Sequence, residues 1–389
     1  MRSVGGANQL GPREQGRAES AEQRQGTDTG TLESHFGRAE GLLPLWIAEP
    51  GVDLAPPVVD ALRSRAAEGW YGYETRPSRV IDSFWTWMAG RHGWDEAGLQ
   101  TLVSPSIGTS IGILIQELTQ PGDGVILQPP VFTDFKALVA SSGRTVARNA
   151  LLFESDRYRI DFDGLAATAS DPRNRVLILC SPHNPVGRVW TYDELATVAT
   201  ICAENDVFVV ADEIHADIMM PGHQFVPFAR AATGSGAGWA ATHGPIKTFG
   251  LAGVCDTLLI TSDEGVAGAF QSRSSQLHLT RNNVFGLAAL EAAYQQGGEW
   301  FDQFVLLLAE NSSHASRTAP GACESGGNPG DLPCVAGPEG PRAGCARGGE
   351  VVGIRGGDGG QPRPLVRSRR CRVRPCDDRC ASIHHRTGD

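Results

Sequence analysis

The stretch TYDELATVATICAENDVFVVADE, residues 191–213, joins a helical pattern to an entirely apolar strand. Thr191 is a suitable helix N-cap, and Glu194 follows it by three residues, as in a capping box. Residues 207–211 are apolar at every position, which is typical of a strand that is covered on both faces. We therefore predict a helix followed by a buried strand that ends at Asp212.

The flanking segments repeat this alternation. We predict helix, turn and strand in ILIQELTQPGDGVILQPP (113–130), and a strand that enters a loop in RVLILCSPHNPVG (175–187). A further strand is expected in GWAAT (238–242), and helices are expected over residues 284–296 and 298–310. Strands that alternate with helices predict an α/β fold with a mostly parallel sheet.

Composition divides the chain into three zones. Residues 1–34 offer almost nothing to bury and are predicted to be a disordered N-terminal segment. Residues 35–310 carry the α/β pattern and are predicted to form a large ligand-binding domain and the start of a small domain. Residues 311–389 contain no Phe, Trp, Tyr or Met and only nine Val, Ile or Leu, so we predict a disordered or aberrant tail. One hypothesis is a GC-rich coding region read out of frame, which leaves the small domain incomplete.

Charge and composition exclude several kinds of partner. The formal net charge of -10 argues against a broad surface for nucleic acids or anionic membranes. No apolar run reaches the ~18 residues of a membrane helix, and the N-terminus lacks the apolar core of a signal peptide, so we expect a soluble cytoplasmic protein. Cys180, Cys202 and Cys255 lie in apolar sequence and are expected to be reduced core residues. The six cysteines beyond residue 320 lack the paired spacing of a metal site, so no metal is predicted.

Polar residues follow three of the predicted strands, namely Asn184, Asp212 and Lys247. Ligands bind at the carboxyl ends of the strands in such sheets. Each residue alone has a simpler explanation: a turn for Asn184, a solvated strand end for Asp212 and a surface position for Lys247. A nucleotide-hydrolase strand is excluded because the GxxxxGK[ST] loop is absent. Lys247 is one of only two lysines in the chain, and a desolvated lysine, unlike arginine, can lose its proton and become a nucleophile.

Together these three groups match the needs of pyridoxal phosphate. Its aldehyde takes a lysine amine, its ring nitrogen takes a carboxylate, and its 3-oxygen takes a donor such as an amide. Its phosphate takes backbone N–H groups at a helix N-terminus, and SPSIGTSIGILIQEL (104–118) predicts such a helix after a strand end. Phe132 is placed to offer an aromatic face to the ring, although a core phenylalanine is an equal alternative.

Several motifs occur in an order that resembles the fold-type I pyridoxal-phosphate enzymes of the class I/II aminotransferase superfamily. They are SIGTSIG (106–112), PGDGVILQPPVF (121–132), CSPHNPVGRVW (180–190), VVADEIHAD (209–217) and KTFGLAG (247–253). Within the superfamily, LPLWIAE (43–49), WYGYE (70–74) and ADEIHAD (211–217) resemble the MalY and PatB group of cystathionine β-lyases. His215 stands where most aminotransferases of the superfamily carry a tyrosine. The resemblance implies the type I fold, a central and mostly parallel sheet flanked by helices.

The resemblance also implies a role for each candidate residue. Lys247 forms the Schiff base with the cofactor and moves protons at the substrate Cα, Asp212 pairs with the ring nitrogen, and Asn184 hydrogen-bonds the 3-oxygen. The other implied cofactor-binding residues are Phe132 (ring stacking), Ile107 and Gly108 (phosphate, through backbone N–H), His215 and Tyr73. Tyr73 matches a tyrosine that reaches the partner subunit's cofactor in family dimers, which implies a homodimer.

The chain departs from the family near the lysine and in the tail. The family often has serine where this chain has Ile246 or Gly244, and aminotransferases often have arginine where it has Cys255. The arginines of residues 311–389 lie in no motif that matches the family's clamp for the substrate carboxylate.

The implied activity is that of a carbon–sulfur β-lyase of the cystathionine β-lyase kind (EC 4.4.1.13). Such an enzyme converts cystathionine or related cysteine S-conjugates to pyruvate, ammonia and a thiol. A class I/II aminotransferase is the alternative, because it uses the same lysine, aspartate and asparagine. A second alternative is a catalytically impaired remnant or a regulatory protein, which the tail and the missing serine favour.

Overall fold

The structure, a computed structural model, describes residues 26–42, 46–155 and 157–318. Its helices are α1 Thr29–Phe36, α2 Pro56–Ala67, α3 Ser78–His92, α4 Ile107–Leu118, α5 Thr133–Ser141, α6 Phe162–Ala169, α7 Tyr192–Glu204, α8 Phe228–Ala231, α9 Pro245–Thr248, α10 Glu264–Gln276, α11 Val284–Gln296 and α12 Gly298–Thr318. Its strands are β1 Gln100–Ser104, β2 Gly124–Leu127, β3 Thr145–Arg148, β4 Leu152–Glu154, β5 Arg157–Arg159, β6 Asn174–Cys180, β7 Phe208–Asp212, β8 Trp239–His243 and β9 Thr257–Thr261.

A seven-stranded sheet with the order β1-β9-β8-β7-β6-β2-β3 forms the centre of the fold, and β4 and β5 make a separate antiparallel pair. Strands β3, β2, β6, β7 and β8 run parallel, whereas β9 is antiparallel to both β8 and β1. The mostly parallel sheet predicted from sequence is therefore confirmed. The register places Cys180 beside Asp212, and Asp212 beside Thr242. The carboxyl ends of these parallel strands thus meet at one edge of the sheet.

Successive residues of the central strands enter two different hydrophobic cores. Leu177 and Val209 belong to the core on one face of the sheet, and Ile178 and Val210 belong to the core on the other face. All four side chains are fully buried. Because both faces of these strands are covered by helices, an apolar residue is favoured at every position, and the pattern of alternation seen in half-exposed strands is absent.

Helix α7 begins with the predicted capping box. The backbone N–H of Glu194 donates to Thr191 Oγ1 at 3.2 Å, and the backbone N–H of Thr191 donates to Glu194 Oε2 at 2.8 Å. The same carboxylate accepts hydrogen bonds from the buried guanidinium of Arg188 at 2.9 and 3.0 Å. The helix start is therefore tied to the loop that follows β6, which carries Asn184.

The structure differs from the predicted zones at their edges. Asp28 accepts a hydrogen bond from the backbone of Thr31 at 2.7 Å and caps α1, so residues 29–34 are helical rather than disordered. At the other end, α12 continues to Thr318, beyond the predicted boundary at residue 310. The remainder of the two predicted tails, residues 1–25 and 319–389, lies outside the described residues, as do residues 43–45 of the LPLWIAE motif.

Three of the cysteines behave as their sequence context predicted. Cys180, Cys202 and Cys255 are buried and reduced. The six cysteines beyond residue 320 lie outside the described part of the chain. Within the described ranges, no helix has both the length and the apolar character needed to span a bilayer.

Candidate active site

Asp212 is a buried carboxylate at the carboxyl end of β7, not a solvated strand end. Its Oδ1 accepts a hydrogen bond from the backbone N–H of Ile214 at 3.2 Å and another from the hydroxyl of Thr242 at 3.2 Å. Burial raises the pKa of Asp212 to about 6, against the opposing effect of these two donors and of His243. A cation beside this carboxyl would lower its pKa and stabilise the ionised form.

Lys247 lies in the short helix α9, just after β8, and is half-buried. Its Nζ donates to the backbone carbonyl of Ala48 at 3.1 Å. Burial lowers the pKa of Lys247, and the charges of Glu49 and Asp212 partly oppose that shift. The amine is therefore easier to deprotonate than that of a solvated lysine, as a nucleophile or proton carrier requires.

His215 lies three residues after Asp212 and interacts electrostatically with Lys247. Burial, and secondly the ammonium of Lys247, lower the pKa of His215 to about 3. The imidazole is therefore neutral at physiological pH and can donate or accept a hydrogen bond. Asp212 and His215 are thus both coupled electrostatically to Lys247.

The N-terminus of α4 supplies backbone donors. Ser106 caps this helix, and its Oγ accepts from the backbone N–H of Thr109 at 3.0 Å. The backbone N–H groups of Ile107 and Gly108, the first two helical residues, have no hydrogen-bond acceptor among the described residues. Such groups, together with the positive end of the helix dipole, form an anion site.

Asn184 and Phe132 are held on neighbouring loops. The backbone N–H of Asn184 donates to Cys180 Sγ at 3.3 Å, next to Asp212 in the register of the sheet. His183 Nε2 donates to the carbonyl of Pro130 at 3.0 Å, which ties the Asn184 loop to the segment that carries Phe132. Phe132 is 41% exposed and its ring meets Phe135 edge-on, so the residue is not a buried core phenylalanine.

Tyr73 lies on an exposed surface. Its side chain is 84% exposed, and the guanidinium of Arg281 lies over its ring at 5.3 Å. Trp70 and Tyr71 in the same WYGYE segment are also exposed, at 57% and 52%. Tyr73 thus lies on an exposed aromatic surface.

Sequence reasoning assigned no role to several residues that surround the site. Thr242 donates to Asp212, and the carbonyl of Ala48 accepts from Lys247. Glu213 and Asp217 are buried within the ADEIHAD motif, and each holds a histidine at 2.7 or 2.8 Å. The acidic residues of that motif could have indicated buried ion pairs, but their histidine partners are distant in the sequence.

The buried pair of Glu213 and His243 stabilises the loop after β7. Glu213 Oε2 accepts from His243 Nε2 at 2.7 Å, and Oε1 accepts from the backbone of Phe228 at 2.7 Å. Since Glu213→Ala leaves both donors buried and unpaired, we expect it to lower the free energy of unfolding by about 3–5 kcal/mol in chemical denaturation. Glu204→Ala, at an exposed position, is the control and should change that free energy by less than about 0.5 kcal/mol. Equal effects of the two variants would contradict this reading.

The residues at this edge fit pyridoxal phosphate. The buried carboxylate of Asp212 forms no ion pair with a described basic side chain, and His243 is committed to Glu213, so a ring N–H⁺ would supply the missing cation. The anion site of α4 and the amine of Lys247 suit the phosphate and the aldehyde. Among the described residues, no group of His, Cys, Asp and Glu has the arrangement of a metal site.

Comparison with known sequences relates the chain to one family and to named lyases. The model of the family Aminotransferase class I and II matches residues 71–311. The chain is 35% identical over 280 residues to cystathionine beta-lyase PatB of Bacillus subtilis (strain 168), which covers 72% of each protein. It is 30% identical over 282 residues to protein MalY of Escherichia coli (strain K12), which covers 72% of this chain and 71% of MalY.

Solved structures share the fold. Cystalysin from Treponema denticola, which contains pyridoxal 5'-phosphate, superposes with a TM-score of 0.70 and 27% identity over 76% of each chain. The PLP-bound C-S lyase from Staphylococcus hominis superposes with a TM-score of 0.67 and 25% identity, over 76% of this chain and 73% of the lyase. The type I fold predicted from the motifs is confirmed. The chain belongs to the class I and II aminotransferase family.

Proposed function

We propose that the protein is a pyridoxal-phosphate-dependent carbon–sulfur β-lyase that converts cystathionine or related cysteine S-conjugates to pyruvate, ammonia and a thiol. The observation that carries the proposal is the coupled group of Asp212, His215 and Lys247, with a lowered pKa for the amine and a raised pKa for the carboxyl. The similarity to cystathionine beta-lyase PatB supports the choice of substrate.

The cofactor, when bound, supplies an electron sink for the substrate Cα. The residues of the chain hold it and move the proton. Asp212 would hold the proton on the ring nitrogen, Asn184 would donate to the 3-oxygen, and Phe132 would stack on the ring. The backbone N–H groups of α4 would bind the phosphate. Lys247, as a neutral amine, removes the proton from the substrate Cα, after which the Cβ–S bond breaks and the thiolate leaves.

His215 favours the lyase over the aminotransferase. Both reactions begin with removal of the Cα proton and differ in where that proton goes next. A histidine at position 215, where the resemblance gives aminotransferases a tyrosine, is the specific feature that favours the lyase. The aminotransferase stays the second candidate because the family model includes that class.

Product analysis separates the two reactions. Purified holoenzyme should release pyruvate and homocysteine from cystathionine and water without any added oxo acid. Turnover that requires an oxo-acid acceptor, with no pyruvate in its absence, would instead establish an aminotransferase. A matched reaction without enzyme corrects for the spontaneous loss of substrate.

A homodimer with shared sites is part of the proposal. The exposed aromatic surface that carries Tyr73 supports it, since such rings are enriched at interfaces. Tyr73→Ala and Lys247→Ala homodimers should each be inactive. When the two are mixed and allowed to exchange subunits, about one quarter of the sites regain both residues, and activity should return to about that level. No recovery in a mixture that sedimentation shows to contain dimers would place Tyr73 in its own subunit's site or outside the site.

The tail and the compartment are also proposals. We keep the hypothesis that residues 311–389 are read out of frame, which is supported by their composition and by the family match that ends at residue 311. Resequencing of the coding region tests it, because an intact frame near codon 310 would contradict it. A cytoplasmic location is proposed from the charge and sequence composition.

A further inference from the structure

Asp217, the last residue of the ADEIHAD motif, has a buried side chain that accepts three side-chain hydrogen bonds. Trp87 Nε1 and His92 Nε2 each donate to its Oδ1 at 2.8 Å, and the hydroxyl of Thr248 donates to its Oδ2 at 2.7 Å. Only 6% of the Asp217 side chain is exposed. A buried carboxylate with this many donors is a fixed point in the structure rather than a solvated charge.

The donors keep the Asp217 carboxylate ionised. Burial alone raises the pKa of Asp217, but the hydrogen bond and charge of His92, together with the donors Trp87 and Thr248, outweigh burial and hold it below its ordinary value. Each hydrogen bond to this carboxylate is therefore charge-assisted and stronger than a neutral one.

Asp217 connects the lysine-bearing turn to helix α3. Thr248 directly follows Lys247 and is the last residue of the four-residue helix α9. Trp87 and His92 lie on α3, and the Trp87 ring also meets the ring of Phe249 at 5.5 Å. The two residues after Lys247 are thus both anchored, Thr248 through Asp217 and Phe249 through Trp87.

We propose that Asp217 is a positioning residue for the reactive amine. It accepts a hydrogen bond from the Thr248 hydroxyl and so fixes the turn that carries Lys247. Its hydrogen bonds with Trp87 and His92 connect that turn to α3. The inference rests on the assignment of Lys247 in the proposed function. A lysine side chain is long and has many rotamers. Its amine reaches one productive position only when its backbone is held, and misplacement by about 1 Å can cost 10²-fold in rate.

The test compares Thr248→Val with Thr248→Ser. Valine keeps the shape of threonine but removes the hydroxyl, whereas serine keeps the hydroxyl that Asp217 accepts. Asp217→Asn is a poorer choice, because it disturbs three hydrogen bonds at once and could prevent the protein from folding. After the cofactor is stripped with a small amine, pyridoxal phosphate is added back, and the absorbance of the lysine-bound cofactor is followed over time. Melting temperatures of both cofactor-free variants are measured, and the kinetics are run well below them.

Thr248→Val should attach the cofactor about 10- to 100-fold more slowly than Thr248→Ser, the range for loss of one hydrogen bond to a charged group. The serine variant should stay near wild type. A purely structural role would lower the melting temperature without separating the two attachment rates, so equal rates would overturn the inference. Lys247→Ala is run in parallel: cofactor that still attaches to that variant would overturn the assignment of the lysine itself.

Discussion

Replacement of Lys247 with alanine should abolish covalent attachment of pyridoxal phosphate and lower kcat/KM for cystathionine by at least about 10²- to 10⁴-fold. The amine is both the attachment point and the group that moves the Cα proton in the proposed reaction. Its lowered pKa prepares it for both tasks. Two measurements check this. The first is the absorbance of the lysine-bound cofactor in the holoenzyme. The second is the mass of the peptide that carries the cofactor after borohydride has reduced its bond to the lysine.

The chain offers a matched control for this variant, since Lys136 is its only other lysine. Lys136 is exposed on α5, so Lys136→Ala should keep both the cofactor absorbance and the activity. Reduced cofactor found on Lys136, or cofactor absorbance that persists in Lys247→Ala, would contradict the assignment of Lys247 as the attachment point. Wild-type protein that never acquires the absorbance would favour the alternative of an impaired remnant or a regulatory protein.

Asp212→Asn should have opposite effects on activity and on the stability of the cofactor-free protein. Activity should fall by about 10²-fold or more, because an amide cannot hold the proton on the cofactor's ring nitrogen. The cofactor-free protein should become more stable, because the variant removes a buried charge while its amide oxygen can still accept from Ile214 and Thr242.

The stability of the cofactor-free protein should fall as the pH rises, and this explains why Asp212→Asn is expected to be stabilising. The pKa of Asp212 rises from 3.8 when unfolded to about 6 when folded, so its ionisation destabilises the cofactor-free fold. The penalty is absent below about pH 4, grows as the pH rises to about 6 and is constant above that, where it reaches about 3 kcal/mol. Asp212→Asn should gain up to this amount above pH 6 and nothing below pH 4, as measured by chemical denaturation of cofactor-free protein.

Asp82→Asn is the matched control, because Asp82 is an exposed carboxylate on α3. It should change neither the activity nor the free energy of unfolding at pH 7. If Asp212→Asn proved less stable than wild type at pH 7 without cofactor, the carboxylate would be balanced by a cation within the protein, and the argument for a ring cation at this position would fail.

Local sequence signals predicted the central fold. The apolar runs of β6 and β7 needed no long-range information, because strands covered on both faces are apolar throughout. The capping box of α7 was predicted because Thr191 and Glu194 interact within one helical turn. Helix α1 was missed because its residues are mostly polar, and only Leu32 is buried.

The candidate site was only partly predictable. The backbone N–H groups at the start of α4 followed from the order of strand, turn and helix. The partners of Glu213 and Asp217 could not be found from sequence, because His243 and His92 come close only when the sheet and α3 are assembled. The hydrogen bond from Lys247 to the carbonyl of Ala48 could not be predicted either. Every residue has a backbone carbonyl, so the residue type at position 48 does not indicate this contact.

The strand order also sets when the protein can first hold its cofactor during synthesis. Strand β1, which leads into α4, pairs with β9, so Ser104 finds its partner only after Thr257 has been made. Helix α4 is further held by the ion pair of Glu117 with Arg273 of α10, which is made later still. We therefore expect the anion site of α4 to reach its place only after β9 has been made, since β1 cannot pair with β9 earlier and such non-local pairing is slow. We therefore expect capture of the cofactor on the ribosome to follow synthesis of β9, although Lys247 is made earlier.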